Sequence, residues 1–343
     1  MKILTKNEVN LMEDLCGVSQ ETLKKVLYKF LKQHYKKVTY HEDFILAQGT
    51  IPIALVAHMD TVFKAPPKEI FYDRKKNVMW SPTGMGADDR AGVFSIIQII
   101  KDGYRPHVIF TTDEEIGCIG AEELSYFPCP FKDLCYIIQL DRRNSNDCVF
   151  YDCDNPAFEK YVESFGFVTA WGSFTDICEL CPQWGIAGVN LSVGYRDEHT
   201  TSEILFVGQM FSTIEKVKKM LSVEDIPEFK YIPIAGSHYN WGPAAYYDYM
   251  CGYEDEDDYP IDPFPPMDSV KYICHNCRNE FSRDEVLDVK LIKGGRGFYC
   301  IDCLTANNVE WCAECGECFE VDPKRPYSQL CKDCLKKEKK RKK

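Results

Sequence analysis

The stretch IPIALVAHMD, residues 51–60, decides the fold class. Its first seven residues are almost all apolar, as in a strand that is buried on both faces of a sheet. The run then ends in His58 and Asp60, whose side chains bind metals or protons. Because ligands bind at the carboxyl ends of the strands in open α/β sheets, the stretch predicts a buried strand that leads into a functional site.

The same pattern recurs further along the chain. Three more apolar runs end in polar groups, at residues 113–115, at Asp141 and at residues 197–199, and Asp88 and Asp89 lie in the glycine-rich turn GMGADDRAG. So many carboxylates at buried strand ends repel one another unless a cation neutralises them. Histidine and oxygen ligands suit zinc, with manganese and cobalt as competitors.

The remaining pattern predicts the layers around these strands. Residues 5–35 have helical spacing, and residues 37–41 and 44–48 are predicted strands. From residue 88 onward helices and apolar strands alternate, and ILFVGQMFSTIEKVKKML, residues 204–221, predicts one long helix. The fold class is therefore α/β, with a mostly parallel central sheet covered by helices.

The sequence contains five short motifs in the following order: His-x-Asp, Asp-Asp-Arg-Ala-Gly, Glu-Glu-x-Gly-x-x-Gly-Ala, Leu-Asp and Glu-His-Thr. This order resembles the dinuclear zinc exopeptidases and amidohydrolases, the superfamily of the M20, M28 and M42 peptidases, over residues 40–220. The resemblance implies two catalytic zinc ions. Its implied ligands are His58 and Asp141 for one ion, Glu115 and His199 for the other, and Asp88 between both.

The same resemblance implies roles for three further carboxylates. Asp60 would orient His58, and Glu114 would be the general base. Asp176, in the stretch GSFTDIC, resembles a residue found near the metals in some members and is a weaker candidate for substrate contact or support of the ligands.

The implied reaction is cleavage of a peptide or small amide substrate, first as an aminopeptidase. An N-acyl amino acid hydrolase or dipeptidase is the alternative, and a non-catalytic binding protein on a peptidase-like fold is the other class. Only 57 residues separate Asp141 from His199, and 29 separate His58 from Asp88. Both intervals are too short for the inserted domains of M20 and M42 enzymes, so the chain is most similar to a compact M28 core.

The C-terminal cysteines form a second metal-binding pattern. Four Cys-x-x-Cys pairs predict two structural zinc ions, each held by four thiolates, as in zinc ribbons. An internal repeat groups them as Cys274, Cys277, Cys300 and Cys303, and as Cys312, Cys315, Cys331 and Cys334, although an interleaved pairing stays open. A structural clip and a docking role for nucleic acid or protein are both compatible with this module.

Length and composition set the domain plan. We expect a catalytic domain at 1–223, a wrapping segment and acidic linker at 224–270, the zinc module at 271–335 and a basic tail at 336–343. The chain has 343 residues and a net charge of -12, which argues against coating nucleic acid as a whole. Without a long apolar run or a signal peptide, we expect no membrane contact and a cytoplasmic location. The pattern leaves the oligomeric state open.

Overall fold

The computed structural model describes residues 2–234, 272–281, 286–291, 296–300, 303–304, 309–312, 318–321 and 330–341. In chain order, the strands of residues 2–234 are β1 (Lys37–Tyr40), β2 (Phe44–Gln48), β3 (Ile51–His58), β4 (Phe71–Asp73), β5 (Val78–Trp80), β6 (Pro106–Thr111), β7 (Tyr136–Arg142), β8 (Asp147–Val149), β9 (Val168–Thr169), β10 (Gly188–Ser192), β11 (Tyr195–Arg196) and β12 (Ile204–Phe206). The helices of the same range are α1 (Lys6–Cys16), α2 (Gln20–His34), α3 (Ala87–Lys101), α4 (Ile119–Ser125), α5 (Pro156–Glu163), α6 (Asp176–Trp184) and α7 (Val207–Leu221).

Eight of these strands form the central sheet, in the order β1-β2-β6-β3-β7-β10-β8-β9. The four middle strands, β6, β3, β7 and β10, run parallel to one another. β1, β2 and β8 pair antiparallel with neighbouring strands. The predicted α/β fold with a mostly parallel centre is confirmed, and the carboxyl ends of the four middle strands meet at one edge.

Strand β3 shows why the sheet is covered on both faces. Its alternate residues Ile53, Leu55 and Ala57 belong to one buried apolar cluster, together with residues of α1, α2, α3 and α7. Ala54 and Val56 belong to another, with residues of α4 and α6. Because successive side chains of a strand point to opposite faces, an unbroken apolar run suits such a sandwiched position.

The prediction of one helix across residues 204–221 is wrong at its start. Ile204, Leu205 and Phe206 form strand β12, which pairs antiparallel with β5, and α7 begins only at Val207. β12 belongs to a small sheet with the order β11-β12-β5-β4, which the sequence did not predict. The partner strand lies more than a hundred residues away, so helical spacing alone could not reveal the pairing.

The segment after α7 returns to the central domain. Phe229 packs against the rings of Tyr136 and Phe158, and the Tyr231 N–H donates to the carbonyl of Gly185. Phe229 and Tyr231 therefore contact β7, α5 and the end of α6. The predicted linker beyond residue 234 lies outside the described residues, as does residue 271.

The C-terminal part is a small β-rich unit. Its elements are β13 (Tyr272–Ile273), β14 (Glu280–Phe281), β15 (Val286–Lys290), β16 (Arg296–Cys300), β17 (Val309–Trp311), β18 (Cys318–Glu320) and α8 (Lys332–Arg341). The last four strands form a sheet in the order β16-β15-β18-β17, and β13 pairs with β14. Within the described ranges, each helix falls short of the length and apolar character needed to cross a membrane.

This unit contacts helix α2. The Lys29 ammonium donates to the backbone carbonyls of Leu304, at 3.0 Å, and Val309, and lies 3.6 Å from the Glu310 carboxylate. The Gln33 amide donates to Glu310 as well. One cation therefore satisfies two carbonyl groups at the β17 end of the unit.

We expect Lys29→Met to weaken the attachment of the zinc module. The variant removes a charged donor from two carbonyl groups, which lowers stability by about 1.5–3 kcal/mol. The measurement is the urea concentration at which the zinc that the sequence predicts on the C-terminal cysteines is released to a coloured chelator. Lys32→Met, which removes an exposed cation from the same helix, is the control. Equal release midpoints in the two variants would show that this contact does not stabilise the module.

Candidate active site

The described structure brings the predicted ligands together at the carboxyl edge of the parallel strands. His58 is the last residue of β3, and Asp141 lies near the end of β7. Asp88 lies in the first turn of α3, where its φ and ψ angles are not helical. Glu115 and His199 lie in the segments that follow β6 and β11. The five side chains therefore come from two strand ends, one helix start and two loops.

The first ligand group contains His58, Asp88 and Asp141, whose donor atoms all lie within 4.8 Å of one another. The His58 Nε2 atom lies 3.2 Å from Asp88 Oδ1 and 3.5 Å from Asp141 Oδ1. All three residues are buried. This set of one imidazole and two carboxylates fits zinc, manganese or cobalt.

The second ligand group contains Asp88, Glu115 and His199. The His199 Nε2 atom lies 2.9 Å from Glu115 Oε2 and 3.3 Å from Asp88 Oδ2. Asp88 thus presents one oxygen to each histidine. A carboxylate shared in this way is the arrangement that a metal-bridging ligand requires.

The electrostatics of the protein alone favour a cation at this edge. Burial and the neighbouring Asp88 charge raise the pKa of Glu115 to about 7. Burial works to lower the pKa of His58, but the surrounding carboxylates, Asp141 foremost, raise it well above the usual value. Hydrogen bonds that the His199 imidazolium donates to the Asp88 and Glu115 carboxylates raise the pKa of His199 to about 11. Without metal, protons on these groups offset the crowded negative charge, and divalent cations would replace them.

Asp60 contacts both His58 and the loop that carries Glu114 and Glu115. Its Oδ1 atom lies 3.2 Å from His58 Nδ1, which leaves Nε2 of that histidine facing the first ligand group. The two carboxylate oxygens also accept the backbone N–H groups of Glu114 and Glu115, each at 3.0 Å. Asp60 therefore orients a ligand and fixes the loop that carries the proposed base.

Glu114 lies beside both ligand groups and belongs to neither of them. Its Oε2 atom is 3.9 Å from His58 Nε2. Burial, together with the charges of Asp141, Asp176 and Glu115, raises the pKa of Glu114 well above its usual value. A carboxyl group with a raised pKa next to a metal site can accept a proton and return it at neutral pH.

Asp176 lies in the first turn of α6, fully buried behind the ligands. Its Oδ2 atom accepts the Thr111 hydroxyl at 2.6 Å and the Gln139 amide at 3.4 Å. Gln139 also donates to Asp141 at 3.1 Å. Burial raises the pKa of Asp176 to about 7. These contacts suit support of Asp141 better than direct contact with a substrate.

The sequence did not identify Glu203, which holds the turn that carries Asp88. Its carboxylate accepts the backbone N–H groups of Met85 at 3.0 Å, Gly86 at 2.6 Å and Asp88 at 3.1 Å. Burial raises the pKa of Glu203 to about 7. The available signal was a lone carboxylate directly before the apolar residues of β12, where an unpaired charge would be unfavourable.

Two residues of the Asp141 surroundings were also missed. The Thr175 hydroxyl donates to Asp141 Oδ2 at 2.7 Å, and the Tyr195 hydroxyl donates to Oδ1 at 3.1 Å. Such donors orient a carboxylate ligand and limit its rotation. Thr175 directly precedes Asp176 in the stretch GSFTDIC, in which the sequence predicted only Asp176 as a candidate, and Tyr195 stands in none of the five motifs.

The cysteines form two further groups. Cys274, Cys277, Cys300 and Cys303 have sulfur atoms within 4.8 Å of one another, and so do Cys312, Cys331 and Cys334. Cys315 lies outside the described residues. Burial raises the pKa of Cys274, but backbone N–H groups, that of Cys300 foremost, bring it down to about 6. A thiol that ionises this easily suits a thiolate zinc ligand, and the grouping matches the one read from the internal repeat.

Comparison with solved structures identifies the fold. A tripeptidase from Staphylococcus aureus matches with a TM-score of 0.53 and 15% identity, over 63% of this chain and 97% of the other. The aminopeptidase PepT from Bacillus cereus matches with a TM-score of 0.51 and 17% identity, over 63% and 97%. A TET aminopeptidase from a marine-sediment archaeon of the Thaumarchaeota matches with a TM-score of 0.52 and 12% identity, over 64% and 98%.

These similarities show that the chain shares the fold of these peptidases, as the resemblance in its motifs implied. At such low identity they show the fold alone. No protein-family model matches the sequence, and no curated protein does.

We expect Glu203→Gln to lower the zinc affinity of the carboxylate and imidazole site by roughly 10–100-fold. In this variant the new side-chain amide would present an N–H donor or a weaker acceptor to the backbone N–H groups of Met85, Gly86 and Asp88. The turn that carries Asp88 would therefore move. Competition with a fluorescent zinc chelator measures the affinity. The control is Glu215→Gln, since Glu215 has an exposed side chain on α7 and contacts Lys218. Equal affinities in the two variants would contradict this role.

Proposed function

We propose that this protein is a zinc-dependent metallohydrolase with two metal ions acting together on a peptide or amide bond. The observation that carries the proposal is the sharing of Asp88 between two ligand groups, with Glu114 left beside them. The structural role of Asp60 supports the same assignment, because it orients both a ligand and the loop of the base. We assign His58 and Asp141 to one ion, and Glu115 and His199 to the other.

The mechanism follows from the positions of these groups. Zinc ions held by these four residues and Asp88 would lower the pKa of a bound water molecule and polarise the carbonyl of the bond to be cleaved. Glu114 takes the proton from that water and delivers it to the leaving amine. Asp60 keeps the proton on Nδ1 of His58, so that Nε2 remains free to bind. The products are an amine and a carboxylate.

The similarities favour an aminopeptidase as the class of enzyme. Two of the three similar structures described above are named aminopeptidases, and the other is named a tripeptidase. Their names support peptides as substrates for this chain. Turnover on a panel of aminoacyl, dipeptide and N-acyl substrates tests the class, and hydrolysis of N-acyl amino acids alone would overturn the aminopeptidase assignment.

We further propose that the cysteine groups hold two structural zinc ions, with Cys315 as the remaining ligand of the second group. Four thiolates leave no open position for a substrate, so these ions do not take part in hydrolysis. Exposed Lys332, Lys336 and Lys337 on α8 give the module a cationic surface that suits a phosphate-bearing partner. The described cysteines form no disulfide with one another, which suits a reducing compartment such as the cytoplasm.

We expect Glu114→Gln to lower kcat by at least about 100-fold while leaving the metal content unchanged. The amide has nearly the same shape as the carboxylate but cannot accept the proton. Turnover and metal analysis on the same sample measure both effects. Glu123→Gln, a similar change on α4, is the control. Loss of the catalytic metals would show that Glu114 is a ligand, and near-normal turnover would exclude it as the base.

We expect a mild chelator to remove activity together with two metal ions per chain and to leave two others bound. Carboxylate and imidazole ligands generally hold zinc less tightly than four thiolates do. Metal analysis during stepwise chelation, paired with activity, measures the order of loss. Activity that survives the first loss, or thiolate zinc that leaves first, would contradict the assignment of the two classes of site.

A further inference from the structure

The loop that carries Glu114 and Glu115 begins with an unusual backbone conformation. Asp113 has a φ angle of 57°, in the left-handed region that residues other than glycine rarely adopt. The two proposed functional residues follow directly, so their positions depend on how Asp113 is held. A loop of this kind needs contacts that compensate for the unfavourable backbone angle.

Helix α2 supplies such a contact through its first residue, Gln20. The Gln20 Nε2 atom donates to Asp113 Oδ1 at 2.8 Å, and the Asp113 backbone N–H donates to Gln20 Oε1 at 3.0 Å. The nitrogen and the oxygen of the Gln20 side-chain amide therefore both form hydrogen bonds with Asp113. Ser19, whose side chain accepts the N–H of Thr22, fixes the start of α2 and thus the position of Gln20.

Asp60 holds the next two N–H groups of the same loop, those of Glu114 and Glu115. Three consecutive backbone N–H groups are thus bound by side chains from two separate elements, α2 and the segment after β3. Asp60 also contacts His58, whereas both hydrogen bonds of the Gln20 side-chain amide described above go to Asp113. Gln20 can therefore be substituted without removing a hydrogen bond made directly to a proposed ligand or base.

We propose that Gln20 is a positioning residue for Glu114 and Glu115, acting through Asp113. Its effect on turnover rests on the proposed function, but its effect on the loop does not. A small displacement of a general base or a metal ligand lowers the rate strongly even when the substrate still binds. Gln20 should accordingly affect kcat and leave KM nearly unchanged.

A reciprocal exchange of the two side chains tests this role in the full chain. In Gln20→Glu, a carboxylate would face the Asp113 carboxylate, and the donor would be lost. In Asp113→Asn, the amide oxygen would still accept from Gln20, so little should change. In the double variant Gln20→Glu/Asp113→Asn, the new carboxylate would accept from the new amide, and the contact would be restored in reverse. Glu21→Gln, at an exposed neighbouring position, is the control.

We expect Gln20→Glu to lower kcat by roughly tenfold or more, with recovery in the double variant. Hydrogen exchange of the Glu114 and Glu115 amides in the metal-free protein should accelerate in the single variant and slow again in the double one. Unchanged kcat and exchange in Gln20→Glu would overturn the proposal. So would a loss that the double variant does not recover. If the wild-type protein hydrolyses none of the substrates, the proposed function fails, and the exchange pattern still decides the role of Gln20.

Discussion

The carboxylate of Asp88 is the group on which the whole site depends. Its two oxygens face two different histidines, at 3.2 and 3.3 Å, so any cation bound by one ligand group shares this residue with the other. Placing Asp88, Asp141 and Glu115 together in a buried position is unfavourable without compensating positive charge. The fold accepts this arrangement because the sheet edge, α3 and the turn held by Glu203 fix each carboxylate in place.

The support around the site reaches well beyond the ligands. Helix α2 contacts the loop of the proposed base at Gln20 and the zinc module at Lys29. These residues are nine positions apart, so about 13.5 Å of helix separates the two contacts. The amino-terminal helical layer therefore lies between the proposed reaction centre and the cysteine groups, and it belongs to both parts of the structure.

The sequence predicted what local patterns can encode. The apolar run of β3 predicted a strand buried on both faces, and the order of motifs predicted which residues the structure places in each ligand group. It could not predict β12, whose partner β5 is distant in the chain. Glu203 and Gln20 were missed for the same reason, since each accepts a hydrogen bond from a backbone N–H group far away in sequence. Such residues carry no motif of their own, and only the folded chain brings them to their partners.

A crystal structure of the zinc-loaded protein, with anomalous scattering recorded at the zinc edge, tests directly whether two ions share Asp88. We expect two strong peaks on either side of Asp88, about 3.5–4 Å apart, as in other two-metal hydrolytic sites. One peak should lie beside His58 and Asp141, and the other beside Glu115 and His199. A single peak, or two peaks that do not share Asp88, would contradict a dinuclear site bridged by this residue.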